Sequence, residues 1–205
     1  MTNKVLNALA NNSGLLKWLA FLLAAFGFVW SMQLFVAGNA YYSVKNSIEV
    51  WQLSPDKAST QKVNSALDKI DNALNYFPNN ALYYQIQGQL FEWKAITEAE
   101  TKNTDSTKTD LTNKVFNLQE AAKSYEKSLK LRPNWSGSWI GLASVKRQQG
   151  ELDDEFYSYL ESANRAGPQD AILHKFIVDF GLQVFSARSF HYVKIKEKLK
   201  HHLNL

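Results

Sequence analysis

The sequence predicts an all-α chain in two parts, one apolar helix long enough to cross a bilayer and then an array of paired helices. Three observations predict it. No charge interrupts the stretch from Trp18 to Val44. A fixed spacing of small and large residues recurs further on, each time ahead of a proline. β-branched residues rarely alternate with polar ones, and the 205 residues hold only four prolines and nine glycines, so strands and tight turns have little to build on. Cysteine is absent, which excludes disulfides, thiolate zinc sites and thiol nucleophiles. The formal charge is +4 with no long basic run inside the chain, so no nucleic-acid partner is expected.

The apolar segment comes first. Trp18 to Ser31 is nearly continuous Leu, Ala, Phe and Val. About 20 such residues cross a hydrocarbon core as a helix, which satisfies its own backbone groups where lipid cannot. A transmembrane helix is predicted over 15–40, with Trp18 and the Tyr41–Tyr42 pair at the two interfaces. A cleaved secretory signal is the rival reading, with Gly38-Asn39-Ala40 as a small-residue cleavage site. The apolar run is longer than the usual h-region, however, and 17 residues precede Trp18. Lys4 and Lys17 lie ahead of the span; Lys45 and Lys57 lie after it, interleaved with Glu49 and Asp56. The expected arrangement is a short cytoplasmic N-terminus (1–14) and an external soluble domain, which in a bacterial inner membrane means the periplasm.

The remainder repeats. Ala66, Ile70, Ala73 and Pro78 are spaced four, three and five apart, and Ala121, Tyr125, Ser128 and Pro133 repeat that spacing. Glu155, Tyr159, Ser162 and Gly167 give it a third time, with Pro168 one place late. The first three positions of each set share one helix face, where small residues admit a neighbouring helix, and the proline ends the helix. A partner helix should precede each set. Tyr84, Gly88 and Phe91 supply its aromatic–small–aromatic pattern, and Trp139, Leu142 and Ala143 supply it again, with Lys146 where an aromatic is expected. Pro133 and Pro168 stand 35 residues apart, close to the tetratricopeptide period of about 34. The predicted fold is therefore an N-terminal transmembrane helix followed by a tetratricopeptide-like α-solenoid of about three helix pairs. A connecting helix (41–57) leads into the repeat domain (58–187), and a basic helix or tail (188–205) ends it. Helices are expected near 41–53, 58–76, 80–95, 114–131, 135–149, 152–166, 169–186 and 189–202, and the first can continue the membrane helix and keep the domain close to the bilayer. Pro78 and Pro133 are 55 apart, so an insertion is required, and the six-threonine stretch Thr97 to Asn113 reads as a polar loop.

Catalytic constellations are not evident. His174 falls where Trp139 stands one repeat earlier and reads as a packing residue; His191, His201 and His202 lie in the basic tail without acids at ligand spacing. Asp153, Asp154 and Glu155 follow Gly150 at a helix start, where acids suit the helix dipole. No phosphate-cradling glycine loop or nucleophile elbow occurs. No catalytic residue, metal site or cofactor is assigned, and the chain is read as a binding protein. Stacked helix pairs form a concave surface lined by the first helix of each pair. By repeat position Gln85, Gln89 and Trp93 line it from one pair, and Ile140, Ser144 and Arg147 from the next. That mixed surface suits an extended peptide and could also stack on a sugar ring. The C-terminal segment alternates Phe190, Val193, Ile195 and Leu199 with lysines, as a capping helix or a membrane-surface helix does.

The stretches Leu90-Phe91-Glu92-Trp93, Arg132-Pro133-Asn134-Trp135 followed by Trp139, Gly150 to Phe156, and Gly167-Pro168 together resemble the VpsP family of polysaccharide biosynthesis proteins. Those are small bacterial proteins with one N-terminal membrane helix and tetratricopeptide-like repeats. The resemblance spans roughly residues 15 to 186 and implies a scaffold or adaptor in exopolysaccharide production, with membrane proteins of polysaccharide assembly as partners. It brings no catalytic residues. Two other roles stay open on sequence: a general envelope assembly factor serving pili, secretion or cytochrome maturation, and a glycan-acting enzyme using scattered acids such as Glu92 and Glu155.

Overall fold

The computed structural model describes residues 13–100 and 107–186. Seven α-helices and one short 3-10 turn make up these residues, and no strand occurs among them. Helix α1 runs from Ser13 to Leu53 without a break, followed by the 3-10 turn Pro55–Lys57. Then come α2 (Thr60–Tyr76), α3 (Ala81–Glu100), α4 (Thr107–Leu131), α5 (Ser136–Gln149), α6 (Asp154–Ala166) and α7 (Ala171–Ser186). Consecutive helices pack against one another, and α1, α3, α5 and α7 also touch in succession. That pattern makes α1, α3, α5 and α7 the inner row of a solenoid, with α2, α4 and α6 behind them.

Helix α1 changes character partway along. From Leu15 to Val36 its apolar side chains point outwards, Leu23 being 71% and Phe35 70% exposed. This portion is long and apolar enough to cross a membrane. At Ala37 the helix enters the core: Ala37, Val44, Ile48 and Trp51 are buried against Val63, Ile70 and Leu74 of α2 and Leu90 of α3. The sequence-based division at residue 40 thus falls inside one helix. Nothing there breaks it, since no proline or charge cluster intervenes, and the second half is simply the first inner helix of the array. The Tyr41 ring packs 5.8 Å from that of Tyr83, while Tyr42 beside it stays exposed.

The recurring spacing marks the buried face of the outer helices. Ile70, Ala73, Ala121, Tyr125 and Ser128 are all shut away from solvent, and Ala66 nearly so. In α6 the register differs by one residue from the sequence reading. Phe156, Leu160 and Ala163 are buried, whereas Glu155 is exposed and Tyr159 and Ser162 are only half-buried. Phe156, Leu160, Ala163 and Pro168 restore the four–three–five spacing in full, with the proline in place. The helix ends confirm this alignment: Phe77, Arg132 and Gly167 donate their backbone N–H groups to Ala73, Ser128 and Ala163, each just before its proline.

A second correction concerns the polar insertion. Residues 97–100 continue α3, and 107–113 lie in the first turns of α4. The stretch lacks apolar residues, yet at its α3 end the neighbouring helix supplies a partner. Thr97 is buried, and Asn117 donates to Glu98 at 2.8 Å across the pair. One polar bridge thus joins the two helices there, beside the buried Ala95 and Leu118. The expected final helix (189–202) and the basic tail lie outside the described residues.

Candidate functional site

A cavity of about 440 Å³ opens along the inner row between α3 and α5. Gln85, Gln89 and Trp93 stand four residues apart on α3, so they share a face, and Ile140, Ser144 and Arg147, spaced four and three, share one on α5. All six line this cavity. Helix α1 contributes Gln52 from one end, and α7 contributes Ile172 and Phe176 from the other.

The six differ in what they offer. Trp93 is wedged edge-on against Trp51 of α1, with ring centroids 5.8 Å apart. Ile140 is only 6% exposed and belongs mainly to the core beneath. Gln85 accepts a hydrogen bond from the Trp135 indole N–H at 2.7 Å. Trp135 occupies the helix-start position that Asn80 and Asp170 fill in the neighbouring pairs; those two cap Leu82 and Ile172 through side-chain oxygens, which an indole cannot do. Arg147 lays its guanidinium over the Phe176 ring, 4.6 Å from the centroid. Gln89 and Arg147 leave amide and guanidinium groups on the cavity wall beside the apolar faces of Trp93, Ile96, Ile172 and Phe176.

The cavity floor holds a polar cluster that the sequence reading did not assemble. Tyr125 of α4 pushes its ring between α3 and α5, where Gly88 and Gly141 leave room for it; a Cβ on Gly88 would lie 2.8 Å from the ring, and one on Gly141 closer still. Its hydroxyl donates to Oε1 of Glu92 at 2.5 Å. The other carboxylate oxygen accepts from the Ser144 hydroxyl at 2.5 Å and from the Gln148 amide. Burial pushes the Glu92 carboxyl above its ordinary range, against the lowering effect of the bonds from Ser144 and Tyr125 and of the Arg147 charge. Burial, and then the neighbouring Glu92, push the Tyr125 hydroxyl well up. Glycine four residues before Glu92, and the run Gly137, Gly141, Ser144, Gln148 along α5, were the only traces of this cluster in the sequence.

The remaining candidates fall elsewhere. Glu155 pairs with Lys146 at 2.7 Å and accepts from Tyr159 at 2.7 Å, away from the cavity lining. Glu92 and Glu155 therefore belong to separate clusters. His174 approaches the Pro168 carbonyl at 3.0 Å, as the Trp139 indole approaches Pro133 at 2.9 Å, which matches the repeat position assigned to it. His191, His201 and His202 lie outside the described residues.

The pairing and stacking of helices define the class: an all-α, tetratricopeptide-like solenoid carrying one long apolar N-terminal helix. Among solved structures, the human IFIT1 dimer with m7Gppp-AAAA, a tetratricopeptide-containing helical protein, matches 77% of this chain with a TM-score of 0.54 at 15% identity. The chain spans about a third of that protein, 34% of its length. At this identity the likeness is one of fold. No protein-family model and no curated protein matches the sequence.

Proposed function

We propose that the chain is a single-pass membrane-anchored adaptor that holds an extended segment of a partner protein in the cavity between α3 and α5. The observation that carries this reading is the convergence of the six inner-face residues on one cavity of about 440 Å³, walled by aromatic and aliphatic groups and edged by an amide and a guanidinium. Apolar walls supply affinity for alternate side chains of an extended peptide, and a few placed polar groups fix its register. A catalytic use of Glu92 is less supported, because its oxygens already accept from Tyr125, Ser144 and Gln148. The biological setting is surface polysaccharide production at a bacterial inner membrane, with the N-terminus cytoplasmic and the domain periplasmic. The sequence resemblance to VpsP proteins supports that setting, and the flanking lysines support the orientation.

Capture from solubilised membranes tests both levels. Glycosyltransferases or polymer-export proteins should co-purify with the intact chain and be lost with Gln89→Trp, which fills the cavity, and with Arg147→Ala, which removes its cation. Gln89→Trp should keep the melting behaviour of the parent; Arg147→Ala also gives up the Phe176 contact, so its capture is measured well below its own melting transition. Deletion of the gene should lower extracellular polysaccharide. Unchanged capture by both variants removes the cavity from the account. Recovery of pilus, secretion or cytochrome-maturation components instead moves the protein to general envelope assembly.

A further inference from the structure

We infer that the loop end of the helix array is a second lipid-contact surface, seated in the headgroup layer of the bilayer that α1 crosses. This rests on the reading of α1 as a membrane span. The connections 77–80, 132–135 and 167–170 lie together at the end of the array where α1 enters it. Phe77 meets Trp30 of α1 edge-on at 6.0 Å, Leu131 and Arg132 share a cleft with both, and Ser136 bonds Asp170 across to the third connection.

Depth follows from helix geometry. Lys17 sits one turn into the helix, where its stem reaches back to the far interface, so about 20 residues counted from Gly14 bring the run to Ser31 and Gln33, the first polar side chains beyond Lys17. Trp30 then stands at the edge of the hydrocarbon, where indole rings settle. A ring touching Trp30 is at that depth too. The loop end therefore does not stand clear of the membrane.

Its composition fits. Tyr76 is 49% exposed and Leu131 41% exposed, beside a cleft of about 640 Å³ between the anchor and the loops. Arg132 is held at the mouth of that cleft by its 4.2 Å contact with the Trp135 ring, as a partner for a lipid phosphate. Lys130, Arg132 and Arg165 gather at this end against one acid, Asp170, which is already bonded to Ser136. At the opposite end acids are interleaved with the cations, Glu151, Asp153, Asp154 and Glu155 around Lys146 and Asp56 beside Lys57. An aromatic and basic face next to the span, its one acid already bonded, matches an anionic headgroup layer.

The cysteine-free chain permits a direct test in the full-length protein. Single cysteines at Asn79 and Gln169 (loop end) and at Asp56 and Glu151 (far end) are labelled with an environment-sensitive fluorophore in nanodiscs of phosphatidylcholine with phosphatidylglycerol. The loop-end labels should shift to the blue and be quenched by headgroup-proximal nitroxide lipids, with the far-end labels unaffected. Arg132→Glu should weaken quenching at Asn79 in the phosphatidylglycerol discs and leave it nearly unchanged in phosphatidylcholine alone. Labels at Asn79 and Gln169 as wet as those at Glu151 overturn the proposal. Extraction of the chain from membranes by alkali overturns it together with the anchor, whereas retention with wet loop labels removes the docking surface and leaves the anchored adaptor standing.

Discussion

Tyr125 and Glu92 show how closely single residues are set in this molecule. The Tyr125 ring fits because two facing helices carry glycine where it passes, and its hydroxyl is fixed by a carboxylate. Gly141→Ala is expected to displace that ring and lower stability by about 2 kcal/mol, as overpacked cores do. Denaturant unfolding in detergent measures it, and Tyr125→Leu in the same background should recover part of the loss. Glu92 gives a pH signature. Its folded-state pKa lies above the unfolded value, so its contribution to stability is fully present in acid and lost as pH rises through the raised value. Glu92→Gln should therefore gain stability relative to the parent across that upward window and show a flatter profile. A parallel pH dependence in parent and variant contradicts the assignment.

At the scale of elements, the turn between α5 and α6 concentrates the local signals. Gly150 adopts φ 79°, its N–H reaches the Arg147 carbonyl, and the Glu151 N–H reaches Lys146, which closes the helix in the Schellman manner. Gly150→Ala should cost about 1 kcal/mol for the left-handed backbone. Asp153 then caps α6 by accepting from the Phe156 N–H at 2.9 Å, and that bond, with Lys146, holds its carboxyl below the usual range. Lys146 bridges Glu151, Asp153 and Glu155 at 2.8, 3.0 and 2.7 Å. Lys146→Met should destabilise by under about 1 kcal/mol at low salt, with the effect fading in high salt because all three acids face water. Helix ends of this kind were legible in the sequence, since proline, glycine and acids act through neighbouring backbone. The register of α6 was not. Tyr159 and Ser162 imitate the small-and-large pattern one place early, and only burial of Phe156 and Leu160 decides between them. The start of α4 was hidden for a related reason, because its first turns precede the buried apolar stripe, which begins at Leu118. Pairing and the six wall residues followed from periodicity. The Glu92 cluster did not, because it joins residues 33 to 56 positions apart that no local pattern connects.

For the whole molecule, the decisive feature is that the first inner helix of the array is the continuation of the apolar one. A fragment beginning at residue 36 retains Ala37, Val44, Ile48 and Trp51 over the core and should unfold cooperatively. One beginning at residue 54 strips that cover from Val63, Ile70 and Leu90 and should aggregate or melt without a sharp transition; equal cooperativity of the two fragments would contradict the assigned boundary. The same continuity places Trp51 against Trp93 and Gln52 on the cavity wall, so that wall is a rigid extension of the rod in the lipid. Helices lean to match their apolar length to the bilayer, more steeply in thin membranes than in thick ones. With no hinge between residues 13 and 53, each degree of lean turns the cavity by the same degree. The direction from which a ligand must approach is thus governed by bilayer thickness, a property of the surroundings and not of the chain.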